Sequence, residues 1–381
     1  MRSLLFLLSL GLGAGLADSA VAQSNASIPP APAIAARSFL LIDYYSQQSL
    51  AGKSPDERIE PASLTKLMTA YLTFAALKQN RIELTQPVPV SPQAAKAEGS
   101  RMFIEPRKPV TVEELMRGMI VQSGNDACVA LAELIAGSEE AFAHMMNQQA
   151  QRLGMKSTNF MNSTGMPNPQ HYSTAHDLAL LAVAIIHDYP EYHPLYSLKE
   201  YRYNNITQAN RNRLLWSDPT IDGMKTGYTE NAGYCLIASA KRAERRLVSV
   251  VLGTASESAR AAESQKLLNY GFQFYDSVKL YQKNQSVANL QIWKGSSNTV
   301  NAGFLDDLYV SVPKGQADKV KASLASQQPL LAPVSAGQKI GVMKLTIDGK
   351  PYSEIPVLAL ENVAPAGMFG SGWDSFRLLF K

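Results

Sequence analysis

Near residue 275 the chain changes texture, and that change limits its architecture more than any other feature. Up to that point apolar stretches with helical spacing alternate with short strand-like runs. Beyond it only strand-like pieces appear, at Leu308–Val312, Ile340–Ile347 and Ile355–Leu360, with Asp348-Gly349 as a hairpin signal between the last two. A chain of 381 residues is about two to three times the usual domain size. The sequence therefore reads as an α+β domain over residues 38–274 and a small all-β domain over 275–362, without internal repeats. In the first, Phe39–Ile42 is a buried-strand signal. Pro61–Leu77 is a helix, with Leu64, Leu67, Met68, Tyr71, Leu72 and Ala75 on one face. Thr111 and Glu114 form a capping box for a helix towards Val121. Asn125 or Asp126 caps a helix that Gly137 ends, and Thr174 with Asp177 opens one reaching about Ile186. Residues 236–238 and 247–252 are strands, and Glu263–Phe272 is helical.

The two ends carry other signals. Arg2, an apolar run from Leu4 to Leu16 and Ala20-Val21-Ala22 make residues 1–22 a secretory signal peptide rather than a membrane anchor. Residues 23–37, rich in Pro, Ala and Ser, read as a tether. Residues 363–381 read as an amphipathic helix. At 100° per residue Phe369, Trp373, Phe376 and Phe380 share a stripe about 60° wide, with Arg377 and Lys381 beside it. Fifteen helical residues span about 22 Å, short of a ~30 Å hydrocarbon core. Such a helix can lie flat in a bilayer interface, aromatics down and cations towards phosphates. It could also dock on the β domain.

Charge excludes one class of partner. Lys plus Arg is 36 and Asp plus Glu is 32, a net +4. Loss of residues 1–22 removes Arg2 and Asp18 together and leaves that balance unchanged. It is too even for a dedicated nucleic-acid binder, yet allows a basic patch facing an anionic membrane. Cys128 and Cys235 have no CxxC spacing; outside the cytoplasm they could pair, but both sit in apolar runs typical of buried free thiols. The histidines form no HExxH, and His171 and His176 read as loop and helix-start residues rather than metal ligands.

Three short motifs carry the chemistry. Ser63-Leu64-Thr65-Lys66 puts an amine and a hydroxyl at i and i+3, on one helix face. Alone it is weak, since about one or two such matches arise by chance in a chain this long. Ser123-Gly124-Asn125 lies between two helix signals, and Lys225-Thr226-Gly227 precedes a strand. Each tripeptide has a chance expectation of about 0.1 per chain. A serine needs a base to become a nucleophile. A lysine serves as that base only if its pKa falls from about 10.4, through burial or a second cation. Lys225 is the expected cation for Lys66, and Ser123 the expected proton relay between Lys225, Lys66 and a leaving amine. Gly227 is expected to let the strand edge approach a substrate, and Thr226 to add a hydroxyl donor. The N–H groups of Ser63 and Tyr228 are candidates for an oxyanion hole. The implied reaction is acyl transfer through a serine ester.

SxxK, an S-x-N element and KTG together are the signature of penicillin-binding proteins and class A β-lactamases. Pro61–Lys66, Gly118–Ala127, Asn210-Arg211-Asn212 and Asp222–Gly227 resemble the D-alanyl-D-alanine carboxypeptidase branch of the low-molecular-mass penicillin-binding proteins (peptidase family S11). The β domain and tail are similar to the membrane-associated five and six type. The resemblance covers the chain from about residue 38 to its end. It implies a β-lactamase/transpeptidase-like catalytic domain, with an antiparallel sheet, flanking helices and a helical subdomain, then a β-sandwich-like domain and an anchoring helix. It implies Ser63 as acylated nucleophile, Lys66 as proton acceptor, and Ser123 with Asn125 completing the cleft. Lys225 would contact the substrate and Thr226 its terminal carboxylate. Arg211 and Arg260 match basic positions near the family's site, with carboxylate-binding or structural roles. Tyr228 departs from the pattern, a histidine often following KTG; Arg213 replaces a small residue, and Pro106 and Pro109 fall in the loop before the second motif.

The implied activity is removal of the terminal D-alanine from a peptidoglycan pentapeptide stem in the periplasm, at the outer face of the inner membrane. No metal or organic cofactor is implied, and β-lactams would trap Ser63. The rivals are a class A β-lactamase, whose Glu-x-x-Leu-Asn element is absent between Asn125 and Lys225, a DD-endopeptidase, and a non-catalytic wall-binding scaffold.

Overall fold

The computed structural model describes residues 28–367. The proposed signal peptide, the first residues of the tether and nearly all of the C-terminal amphipathic segment lie outside the described residues.

Five strands form the central antiparallel sheet: β1 (Ser38–Asp43), β2 (Ser49–Lys53), β3 (Ile221–Thr229), β4 (Gly233–Arg242) and β5 (Arg245–Thr254). Their order is β2-β1-β5-β4-β3, so β3 is a free edge. Both faces of the sheet are covered, which is why its strands read as continuous apolar runs. Leu40, Ile42, Ile237, Val248 and Val250 face the helical subdomain. Phe39, Leu41, Leu236, Ala238 and Val251 face Leu267 and Leu268 of the long helix that ends the domain.

The helices are α1 (Lys66–Lys78), α2 (Val112–Val121), α3 (Asn125–Ala136), α4 (Glu139–Arg152), α5 (Ala175–Asp188) and α6 (Glu257–Phe274). The central one, α1, is buried on nearly every side, as expected of a helix apolar all round. The capping box of Thr111 and Glu114 is formed, and Thr174 caps α5.

Local differences from the sequence reading have physical reasons. Residues Ala62–Thr65 form a tight 3₁₀ turn, and the α-helix starts only at Lys66. Pro61 precedes that turn and Ala62 has φ +49°, a value no α-helix contains. The N-cap of α3 is Gly124, not Asn125 or Asp126. The Asp126 carboxylate is engaged elsewhere, accepting from the N–H groups of Met102 at 2.9 Å, Phe103 at 2.8 Å and Ile104 at 3.2 Å. Helix α6 starts six residues before Glu263, where the Ser256 side chain accepts from Ala259 N. The described part of the tether is not loose. Ile34 and Ala36 are buried against α6, and Tyr270 donates to the Pro29 carbonyl at 2.9 Å.

From Tyr275 the described residues form strands with one short 3₁₀ turn at Ala317–Lys319: β6 (Tyr275–Tyr281), β7 (Ser286–Trp293), β8 (Thr299–Gly303), β9 (Leu308–Pro313), β10 (Val320–Ser326), β11 (Leu330–Leu331), β12 (Lys339–Ile347) and β13 (Lys350–Ala359). Strands β6 and β9 pair alone, and the others make one sheet in the order β10-β12-β13-β8-β7-β11. The expected hairpin turns at Asp348-Gly349, with φ +50° and +76°, as a primed two-residue turn requires. Beyond 362, Val363 and Pro365 still bridge to Val334 and Gly295. Strands β6, β7 and β10 are largely half-buried or exposed and interleave polar with apolar residues, so they do not stand out in the sequence.

Candidate active site

The cleft lies where the 3₁₀ turn, the α2–α3 junction and the free edge β3 meet. The turn bearing Ser63 is held on two sides. On one, Gly165 has φ +84° and lies so close that a side chain there would overlap the Ala62 carbonyl. On the other, a methyl group on Gly227 would come within 3.1 Å of the Pro61 carbonyl and 3.3 Å of the Ala62 Cβ. Gly227 thus admits the nucleophile's turn.

Lys66 is 2% exposed. It donates to Ser63 Oγ at 2.9 Å and to the Thr164 carbonyl at 2.5 Å. Burial lowers its pKa to about 8, with Arg211 adding to the fall and Cys128, Asp126 and Glu139 opposing it. Desolvation is the main cause, and the repulsion between the Lys66 and Lys225 amines adds a coupling that falls on Lys225. Lys225 is 3% exposed and is itself pushed well below its ordinary value, by burial first and then by Lys66, Arg211 and Arg260. Its amine donates to Ser123 Oγ and to the Thr226 carbonyl, both at 3.0 Å.

Ser123 has φ +69°, a left-handed value unusual for a residue with a side chain and a recurrent sign of a functional site. The neighbouring loop is tied to this junction. Asn125 N and Nδ2 each donate at 2.6 Å, to the carbonyls of Ser100 and Glu98. Asn125 Oδ1 is buried without a partner among the described residues.

Along β3, Lys225 pairs in register with Ile237 and Tyr228 with Tyr234. Thr226 is 4% exposed. Tyr228 is half exposed, its ring 4.4 Å from that of Tyr234. Arg260 is buried on α6. It donates to the Gly227 carbonyl at 3.3 Å and the Arg211 carbonyl at 3.5 Å, and lies 3.7 Å from Glu257. Arg260 thus braces the strand edge, whereas Arg211 is exposed.

The sequence reading missed the segment Asn162–Gly165. Asn162 Oδ1 accepts from the N–H groups of Thr164 at 3.2 Å and Gly165 at 2.7 Å, an Asx-type turn that sequence chemistry allows but does not single out. This turn presents the Thr164 carbonyl to Lys66. His171 contacts the nucleophile's turn instead, its Nε2 2.9 Å from Thr65 Oγ1. Cys128 and Cys235 are both free and buried, and burial pushes their thiols up to about 12 and about 11. Among the described residues no three His, Cys, Asp or Glu side chains gather as a metal site would need.

Comparison with known proteins agrees with this geometry. Residues 24–256 match the family model "Peptidase_S11: D-alanyl-D-alanine carboxypeptidase", and residues 275–365 match "Penicillin-binding protein 5, C-terminal domain". The D-alanyl-D-alanine carboxypeptidase DacC of Escherichia coli K12 is 42% identical over 358 residues, covering 92% of this chain and 90% of that protein. The crystal structure of penicillin-binding protein 5 from Haemophilus influenzae superposes with a TM-score of 0.83 at 39% identity, covering 89% of this chain and 100% of that one. Penicillin-binding protein D2 of Listeria monocytogenes, solved in an ampicillin-bound form, gives a TM-score of 0.59 at 29% identity, covering 64% of this chain and 100% of that one.

Proposed function

The chain belongs to the D-alanyl-D-alanine carboxypeptidases of peptidase family S11, and from that premise we propose how its residues remove the terminal D-alanine of a peptidoglycan pentapeptide stem. Ser63 Oγ attacks the carbonyl carbon of the penultimate D-alanine, and its proton passes to Lys66 Nζ. The oxyanion is held by the N–H groups of Ser63 and Tyr228. Collapse breaks the C–N bond, and the leaving amine takes a proton from the Ser123 hydroxyl, which is reprotonated by the Lys66 ammonium, with Lys225 as relay, so that Lys66 is neutral again. An ester remains on Ser63. Lys66 then deprotonates a water that hydrolyses it, returning the proton to Ser63. Thr226 and Arg211 receive the substrate's terminal carboxylate, while Asn125 lines the cleft beside the acyl chain.

The observation that carries this reading is the 2.9 Å contact between Ser63 Oγ and an almost fully buried amine. A charged lysine would be costly there, and a neutral one is a base. β-Lactams enter the same scheme as acyl donors. Their opened ring stays attached to the acyl group, so the leaving amine does not depart and the ester persists.

The test is mass spectrometry of the products from a synthetic pentapeptide ending in two D-alanines. Release of one D-alanine supports the reading; an unchanged peptide, or cleavage confined to cross-linked dimers, refutes it. The proposed site of action is the periplasm, with the C-terminal segment against the inner membrane. Among the described residues no helix is long and apolar enough to cross a membrane. Deleting residues 367–381 should move the protein from the membrane fraction to the soluble one with its activity intact; retained membrane binding would refute the anchor.

A further inference from the structure

Dryness alone does not make Lys66 a working base. A neutral amine has one lone pair, and that pair must face the Ser63 hydroxyl. The ammonium formed when Ser63 is acylated must also find an acceptor, since an unpaired buried charge is costly. The Thr164 carbonyl, 2.5 Å from the amine, meets both needs, and the chain behind it is held on three sides. Glu139, the first residue of α4, accepts at Oε1 from the N–H of Ser163 at 3.0 Å and from its hydroxyl at 2.6 Å. Asn162 Oδ1 accepts from Thr164 Oγ1 at 3.1 Å besides the two N–H groups of its turn, and its Nδ2 donates to the Met166 carbonyl at 3.0 Å. Thr69, three residues after Lys66 on α1, donates to the Ser163 carbonyl at 2.6 Å. Helix α1 thus grips two successive carbonyls, one through Thr69 and the next through Lys66. Ser163 and Thr164 are buried. Glu139 and Asn162 are only half-buried and line a cavity of about 420 Å³ beside Asn125, so neither fills the core.

We propose that Glu139 and Asn162 are positioning residues for the reaction: they hold the Thr164 carbonyl against Lys66, so that the lone pair points at Ser63 and the ammonium formed on acylation keeps a partner. This rests on the carboxypeptidase reading above. Glu139 has a second effect, because its negative charge favours the ammonium. The other titratable groups that face Lys66 are Asp126 and Cys128 on α3, Arg211 ahead of β3, Lys225 on β3, and His171 beside the 3₁₀ turn. Burial and Lys66 lower the His171 pKa to about 4, so that ring is neutral near pH 7. Glu139 differs from these groups in also gripping the segment that carries the carbonyl.

The experiment measures the second-order rate constant for acylation of the full-length protein by benzylpenicillin between pH 5.5 and 9.5. Two readouts matter: the height of the plateau and the position of the acid limb. Asn162→Ala removes the acceptor that shapes the turn, and its plateau should fall about thirtyfold. Asn162→Asp restores that acceptor and adds a negative charge, so most of the rate should return and the limb should move about half a unit to higher pH. Glu139→Gln keeps an acceptor for Ser163 but removes the charge, so its limb should move about half a unit to lower pH. Limbs that coincide with wild type in both charge variants overturn the proposal. So does an Asn162→Asp plateau no higher than that of Asn162→Ala, which marks a merely structural role. If Asn162→Ala does not fold, the opposite limb shifts of the two charge variants decide alone. A wild type that is acylated yet releases no D-alanine from a pentapeptide defeats the carboxypeptidase reading, not the positioning of the base.

Discussion

In the β domain lysines lie at the surface beside carboxylates: Lys319 is 3.0 Å from Asp348, and Lys344 is 3.9 Å from Glu354. Among its described residues Ser311 alone is a buried polar side chain; its hydroxyl lies 2.7 Å from Ser46 Oγ, and its backbone N–H donates to Gln48 Oε1 at 2.6 Å, across the domain contact. In the catalytic domain Lys66 and Lys225 are almost fully buried, and neither forms an ion pair among the described residues. Two non-glycine residues around the site, Ala62 and Ser123, also have left-handed backbones. One region keeps its charges solvated and its core apolar, as stability alone favours. The other retains costly charge and strain where bonds are made, because an exposed lysine would remain protonated and useless as a base.

The sharpest break of this contrast is Ser63→Ala. Release of D-alanine should fall by at least about 10⁴-fold, and covalent labelling by penicillin should vanish. Residual labelling would displace Ser63 as the nucleophile. Lys66→Arg keeps the charge but cannot shed its proton near neutral pH; a loss of about 10³-fold is expected, and near-normal turnover would exclude a base role.

The wild-type pH profile is a finer probe. The neutral amine is the active form, so acylation of Ser63 should rise about tenfold per pH unit below the Lys66 pKa of about 8 and level off above it. A rate flat from pH 6 to 9 would refute the assignment. Stability carries the same sign. Between pH 8 and about 9.5 the unfolded lysine is still protonated while the folded one is not, so unfolding free energy should rise with pH, by up to about 2 kcal/mol. Denaturant melts of wild type and Lys66→Met measure it, the variant giving the flatter curve. The smallest effect belongs to the β domain: Lys319→Ala should change stability by no more than about 0.5 kcal/mol, and a larger shift would show that its charges are not merely solvated.

Much of this was legible in the sequence, and unevenly. The three motifs gave Ser63, Lys66, Ser123 and Lys225, and the structure brings each lysine to a serine. Strands β1, β4 and β5 were visible because they are buried on both faces and apolar throughout. Strands β6, β7 and β10 were not, because half-buried strands that interleave polar and apolar residues make a weak pattern. The Thr164 carbonyl was invisible for a different reason: a backbone acceptor leaves no residue-type signature, and only the fold brings it 98 positions along the chain to Lys66. Motif spacing says that two amines converge but not how dry their surroundings are, and that dryness is the first cause of both lowered pKa values.

The glycine vise around the Ser63 turn also constrains evolution under antibiotic pressure. Gly165 and Gly227 leave no slack on either side of that turn, so the attacking oxygen and the strand that orients the ligand move as one piece. A change that admits a bulkier drug also displaces the nucleophile from the cell wall's own peptide. Escape by reshaping this pocket should be rare here, and tolerance should come instead from making more enzyme or keeping the drug away.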